Sequence, residues 1–434
     1  MPIKSVYARQ VINSSGQPTV EVDLVTDLGL FRAAVSSEEP NDKIATHLKD
    51  GEPRNFYGIS VLKAVTNVNQ SIGPALVKQG YEVTQQRQID ELMIKLDGTE
   101  NKSNFGANAI LGVSMAVAKA GAAKRGIPLY KHLADLSGNR QLIIPTPAFS
   151  VIAGGILSSN KVAMQDIMIL PTGAHTFAEA LKMGAEVRET LKGIIGQKFG
   201  KDATAVNAKG AFVPNFPNDK DALKCIVDAI GKAGYTGRVE LALDCAATTW
   251  YKQGKYDLNY KNPKSDKAKW LLGSKLQDTY YRDLMKTFPI VSLEDPFIVD
   301  DIVSWNKMLQ AYPSLQIVGD TLTLMNQTKI QEVADKKACN CVLIKLNQIG
   351  TVTETIDAHL IAKQNGVGSM VAHGLHDTAD SFIADLAVGL ATGQIKTGGL
   401  CKSECVAKYN QILRIEEELA SNAKYAGRAF RCPV

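Results

Sequence analysis

Six ionisable residues recur in phase along the second half of this sequence: Asp244, Glu294, Asp320, Lys345, His373 and Lys396. The first five stand at the ends of short apolar runs, VELALD, IVSLE, LQIVGD, CVLIKL and SMVAH, and Lys396 continues the series. The separations are 50, 26, 25, 28 and 23 residues. A gap near 25 is about one strand–helix unit, and 50 is about two. A single charged residue at a strand end can simply meet water. Asp, Glu, Asp, Lys and Lys in phase instead indicate groups converging on one mouth. Three converging carboxylates repel one another and raise each other's pKa values. A divalent cation relieves that, and hard oxygen ligands with open positions suit Mg²⁺. Two lysines beside such a cation suit removal of a proton next to a metal-held carboxylate.

The elements that must position these groups follow from the pattern. Near-continuous hydrophobic runs are expected of parallel strands buried on both faces, and alternating strand and helix segments after residue 140 predict a β/α barrel over 141–434. Residues 1–140 read differently. Thr19–Val25 alternates apolar and polar residues, turns at Asp27–Gly29 and resumes at Phe31–Val35, which predicts an antiparallel hairpin. Helical patterns follow over 60–75, 88–95 and 108–125, the last Ala-rich and stopped at Gly126-Ile-Pro128. Strands followed by helices predict a small α+β domain.

Composition bounds the function. The chain has 434 residues, 45% hydrophobic and 21% charged, as ordinary globular proteins do. A net charge of +5 from 49 basic and 44 acidic residues, without a run of Lys and Arg, argues against nucleic acid as a partner. No apolar stretch approaches the roughly 18 residues of a membrane span, and the first twenty residues lack a signal-peptide core, so no membrane partner and a cytoplasmic location are expected. The seven cysteines include the close pairs Cys339/Cys341 and Cys401/Cys405, without the spacing of a structural zinc site; reduced thiols are expected.

Longer motifs carry a resemblance. TVEVD at 19–23, NKSNFGANAILGVS at 101–114, SLEDPF at 292–297, VLIKLNQIGTVTET at 342–355, GQIKT at 393–397 and KYNQILRIEEEL at 408–419 resemble enolase, phosphopyruvate hydratase, over essentially the whole length. That family is itself the known instance of a lysine base working beside Mg²⁺. The resemblance implies an α+β N-terminal domain on a modified β/α barrel, a homodimer, and Mg²⁺-dependent dehydration of 2-phosphoglycerate to phosphoenolpyruvate in glycolysis. By it, Asp244, Glu294 and Asp320 match the metal ligands and Lys345 the base that removes the C2 proton. Lys396 matches the lysine that neutralises the substrate carboxylate, and His373 is retained. Arg9, Glu21 and 414–418 match dimer-contact segments.

The other half of the implied site departs from the family. Lys209 in NAKGAFVPN stands where GDEGGFAPN carries the general acid, and Leu157 stands for the active-site His of NGGSHAGNK. Asp166 replaces the glutamate of AMQEFM, and Gly374-Leu375 replaces the Arg-Ser pair that grips the phosphate. The serine loop that closes over a second metal becomes Ser36-Ser37-Glu38-Glu39-Pro40. Losing Arg removes a rigid charge-assisted fork, losing a positioned acid forfeits about 10²–10⁴-fold in rate, and Glu38 and Glu39 would repel a phosphate unless they turn away. Gly374 and Leu375 are expected to enlarge the pocket. His376, two residues beyond Gly374, is placed to contact an anion, though a surface histidine is the commoner use.

These substitutions predict an enolase-family chain that is impaired or inactive, with one Mg²⁺ site kept and the second weakened. It would act as a homodimer, or as a heterodimer with an active enolase. Two other readings stand beside it. A weakly active enolase would use Lys209 as acid on a small phosphorylated substrate. A different activity would use the metal and lysine base on a carboxylate without phosphate.

Overall fold

The computed structural model describes residues 2–38, 41 and 43–433. Its N-terminal part is a three-stranded antiparallel sheet, Ser5–Ile12, Pro18–Thr26 and Gly29–Ala34, in that order. One face is apolar, with Val20, Val22 and Leu24 fully buried. The other carries Arg9, Glu21, Asp23 and Arg32 on adjacent register positions, Arg9 opposite Glu21 and Asp23 opposite Arg32. Arg32 grips both oxygens of Asp23 at 2.7 and 2.8 Å, and Arg9 reaches Glu21 at 2.7 Å. Arg32 outweighs burial and holds the Asp23 carboxyl down at about 2. This face is therefore neutralised within the chain.

The Ala-rich helix Ala107–Arg125 covers the apolar face and is buried nearly all round. Its small residues let backbones approach: a Cβ at Gly112 would stand 2.7 Å from Val22 and one at Gly121 would stand 2.8 Å from the Val83 carbonyl. The segment expected to be helical over 60–75 is helical from Leu62 to Gln79, with a π-helical stretch at Val68–Ile72.

Residues beyond 140 build one nine-stranded sheet. Parallel strands Glu240–Asp244, Ile290–Glu294, Gln316–Gly319, Cys341–Ile344, Gly368–Ala372 and Gln394–Lys396 lie side by side in chain order. Thr146–Pro147 pairs with Gln394–Lys396 at one end of the order. Phe149–Ala153, two residues on, pairs with Asp166–Leu170 at the other. One extended run thus touches both ends and the sheet nearly closes into a barrel. The strand Asp166–Leu170 runs antiparallel to both its neighbours, a departure from an all-parallel barrel that matters below.

The helix Gln86–Asp97 clamps the N-terminal part to the barrel helix Val352–Gln364. Asp90 accepts from the Thr353 amide and hydroxyl at 3.1 and 2.6 Å, and Arg87 holds Asp357 bidentately at 2.9 and 2.6 Å. Such fork-to-fork pairs fix orientation as well as adding energy. The barrel helix is itself started by Thr351, which accepts from the Glu354 amide. Among the described residues all seven cysteines are free, five of them buried, and no helix is long and apolar enough to cross a membrane.

Candidate active site at the barrel mouth

Strand polarity brings the ionisable residues together. Asp244, Glu294 and Lys396 are the last residues of their strands; Asp320, Lys345 and His373 each follow one directly. Asp244 and Glu294 are register partners. Asp166 begins its strand rather than ending it. Because that strand is antiparallel, its start lies at the same mouth, opposite Asp244.

Charges within the cluster pair off. Lys396, 4% exposed, donates from Nζ to both oxygens of Glu294 at 2.6 and 2.7 Å and to Asp244 at 3.3 Å. Lys345 donates to Asp320 at 2.7 Å. Burial and then the Asp244 charge push the Glu294 carboxyl up, while the lysines hold Asp244 below the ordinary carboxylate range despite its burial. The same carboxylates raise Lys396 against burial.

Three residues at or beside this mouth were not singled out in the sequence. Gln165 donates to Asp244 at 3.3 Å. Asp295, next to Glu294 in SLEDPF, accepts from the Asp320 amide and from Thr321 N and Oγ1, at 3.0, 3.0 and 2.6 Å. It does so from a left-handed backbone, φ +45°, a conformation that costs energy in a non-glycine residue and persists where its surroundings demand it. Burial and the Asp320 charge push its carboxyl up to about 7. Asn347 is the third. A carboxylate immediately beside a strand-end carboxylate was the available signal for Asp295; nothing local marked the other two.

Lys209 sits in a turn fastened at both ends: Asn207 Oδ1 accepts from the Lys209 and Ala211 amides, and the Lys209 carbonyl accepts from Gly399 at 2.7 Å. Its side chain is half-buried and makes no hydrogen bond or ion pair within the described residues, yet its charge acts on Asp166, Asp244 and His373. It is therefore part of the mouth and not a remote loop lysine. Burial, with Lys209, Lys408, Lys396 and Lys345 around it, holds the His373 imidazole well below its ordinary value and keeps it neutral.

Asp166 Oδ2 accepts from Ser150 at 2.6 Å and Oδ1 has no partner among the described residues. Burial pushes this carboxyl up to about 6, against the pull of Lys209. A carboxyl raised on folding contributes stability that is whole below the ordinary value and lost as pH rises through about 6. Asp166→Asn, which keeps the acceptor for Ser150 and cannot ionise, is therefore expected to be the more stable protein at pH 8, by up to about 3 kcal/mol. Urea unfolding at pH 5 and pH 8 checks this: the advantage must shrink at the lower pH, and an equal difference at both would contradict it.

The rim reads differently from its sequence. Leu157 lies half-buried on the Gly155–Leu157 turn, beside an exposed Ile156, and brings no polar group. Gly374 does not enlarge the mouth as expected. A Cβ there would stand 2.1 Å from Ser36 Oγ and 2.7 Å from Asn347 Nδ2, so those two residues already fill the space. Only a small cavity of about 30 Å³ remains beside His373, Gly374 and Lys408. Leu375 is exposed and offers no donor. The Ser36–Glu38 segment lies on the 374–376 segment: Ser37 N donates to the His376 carbonyl at 2.9 Å in an antiparallel bridge, and His376 Nδ1 meets Ser15 Oγ at 2.8 Å. Glu38 turns inward, where Asn347 donates to its Oε1 at 2.8 Å. Glu39 and Pro40 lie outside the described residues.

The donor chemistry of Asp244, Glu294 and Asp320 fits a hard divalent cation, since three carboxylates supply oxygen ligands and leave positions for water or substrate. Among the described residues no three acidic, His or Cys side chains are drawn together as a ligand set. Lys396 is shared by Glu294 and Asp244 while Lys345 holds Asp320, so Lys396 must release Glu294 before a cation can be shared by all three.

Two family models match this chain: the enolase N-terminal domain over residues 3–133 and the enolase C-terminal TIM barrel domain over residues 141–434. With both domains matched in order and the carboxylate and lysine cluster at the barrel mouth, the chain belongs to the enolase family.

Proposed function

We propose that this enolase-family chain keeps the proton-abstracting half of the family's site and has lost most of the half that expels the leaving group and holds a phosphate. The observation that carries this is the pairing of Lys345 with Asp320 and of Lys396 with Glu294 and Asp244 at consecutive strand ends. Asp244, Glu294 and Asp320 would hold Mg²⁺, which when bound supplies positive charge for a substrate carboxylate. Lys345 is placed to take a proton from the carbon beside that carboxylate, and Lys396, freed from Glu294, to neutralise one of its oxygens. Buried Asp295 keeps Asp320 in place. Neutral His373 can donate one hydrogen bond without adding charge.

On the opposite side Lys209 replaces an acid, and neither Gly374 nor Leu375 can grip a phosphate. Glycolytic 2-phosphoglycerate dehydration in the cytoplasm is accordingly proposed to be severely impaired. The protein then acts chiefly as a homodimer, or as a heterodimer with an active enolase. The placement of Lys209 favours a second reading: it makes no hydrogen bond or ion pair within the described residues and its charge acts on Asp166, so it can serve as a weak acid.

A steady-state assay of phosphoenolpyruvate formation from 2-phosphoglycerate at saturating Mg²⁺ tests the proposal, with Lys345→Ala as the control for contaminating host enzyme. Turnover indistinguishable from that control is expected. Turnover well above it would overturn the impairment and make Lys209 the acid to explain.

A further inference from the structure

Four features of the rim act on the same ligand position, and their use rests on the reading of Lys345 as the base. Gly374 has no side chain because Ser36 Oγ and Asn347 Nδ2 occupy the volume of its Cβ. Ser36 and Ser37 are tied to the His376 carbonyl, so the Ser36–Glu38 stretch lies on the 374–376 segment. Asn347, two residues beyond Lys345, engages Oε1 of Glu38 at 2.8 Å and so fixes a carboxylate inside the rim. Burial pushes the Glu38 carboxyl up and Asp320 adds to this, while Lys345, Asn347 and His376 draw it down, and Lys345 is already hydrogen-bonded to Asp320.

We propose that Glu38 is a specificity-determining residue: it bars from this mouth carboxylic acids phosphorylated on the carbon that yields the proton, and favours those that carry a hydrogen-bond donor, such as a hydroxyl, on that same carbon. A phosphate dianion at the rim would meet two carboxylates, Glu38 and Asp320, against one lysine that is already paired. A donor at the same end would meet an acceptor oriented by Asn347. Discrimination of this kind is set by like charge placed against the wrong ligand as much as by contacts to the right one.

Glycerate and 2-phosphoglycerate differ only in the phosphate and are the probes. Isothermal titration of the full chain with each, in Mg²⁺ and in EDTA, is compared for the wild type, Glu38→Gln and Glu38→Asp. The expected wild type binds glycerate more tightly than 2-phosphoglycerate. Glu38→Gln is expected to shift the ratio toward 2-phosphoglycerate by about tenfold or more, because like charges across an interface are costly, and Glu38→Asp, which keeps the charge, is expected to keep the wild-type preference. An unchanged ratio in a Glu38→Gln protein that melts like the wild type overturns the proposal, and so does a wild type that prefers 2-phosphoglycerate or fails to bind glycerate. The underlying reading fails separately: it does so if glycerate binding is the same in Mg²⁺ and EDTA and unaffected by Lys345→Ala, whatever the ratio at Glu38.

Discussion

Lys396→Met is expected to cost about 3–5 kcal/mol of folding stability in EDTA, the range for breaking a buried ion pair by removing one partner, and to make the unfolding temperature strongly dependent on Mg²⁺. Lys396 satisfies both oxygens of Glu294 and reaches Asp244, all three nearly inaccessible to water. Methionine keeps the length of the side chain and removes its charge. Glu294 and Asp244, adjacent on neighbouring strands, would then face each other with no cation between them. The protein can respond by protonating Glu294, whose carboxyl burial already raises, or by admitting a divalent ion that now has no competing ammonium. Calorimetric melts in EDTA and in millimolar Mg²⁺ separate these responses. The expected result is a low midpoint in EDTA, substantially recovered by Mg²⁺, with a smaller Mg²⁺ effect on the wild type. A variant whose midpoint ignores Mg²⁺ would show that these carboxylates do not form a cation seat.

The second large effect concerns turnover. Lys209→Glu with Gly374→Arg and Leu375→Ser restores the groups that the family resemblance places at those positions, yet this three-site variant is expected to gain little. An arginine at 374 has to displace Ser36, whose hydroxyl stands 2.1 Å from its Cβ, and its guanidinium would lie near Glu38, a ready partner that would take the place of phosphate. Adding Ser36→Gly and Glu38→Gly removes both obstacles. The five-site variant is expected to form phosphoenolpyruvate at least about 10²-fold faster than the wild type, the lower part of what a positioned general acid contributes. The same steady-state assay decides it. A five-site variant no faster than the Lys345→Ala control would place the defect outside these five positions, at Leu157, Asp166, the missing loop serine or the barrel itself.

These two expectations draw on different sources. The carboxylate and lysine cluster was legible in the sequence because residues at strand ends repeat with the period of a strand–helix unit, and parallel strands deliver their C-terminal ends to one face. The positions of Asp244, Glu294, Asp320, Lys345, His373 and Lys396 follow from that regularity, and motifs such as SLEDPF and GQIKT carried the family. Asp166 was reached only through the resemblance, since it starts a strand; the antiparallel direction of that one strand is what brings it to the mouth.

Tertiary structure decided the rest. Which lysine pairs with which carboxylate depends on distances of a few tenths of an ångström between side chains from strands about 25 to 150 residues apart, and no local pattern encodes them. Gly374 reads in sequence as an opened pocket, because a missing side chain looks like missing volume. Close packing leaves little such volume unfilled, and here Ser36, some 340 residues away in the chain, takes it. Glu38 reads in sequence as an acid that repels a phosphate unless it turns away, and which way it turns is decided by Asn347, which holds it inward. The sequence by itself determined the fold, the family and the barrel-end cluster, since the barrel and its cluster rest on periodicity and the family on long motifs. Only the folded chain decided what the mouth admits, because that depends on contacts between loops that the sequence keeps far apart.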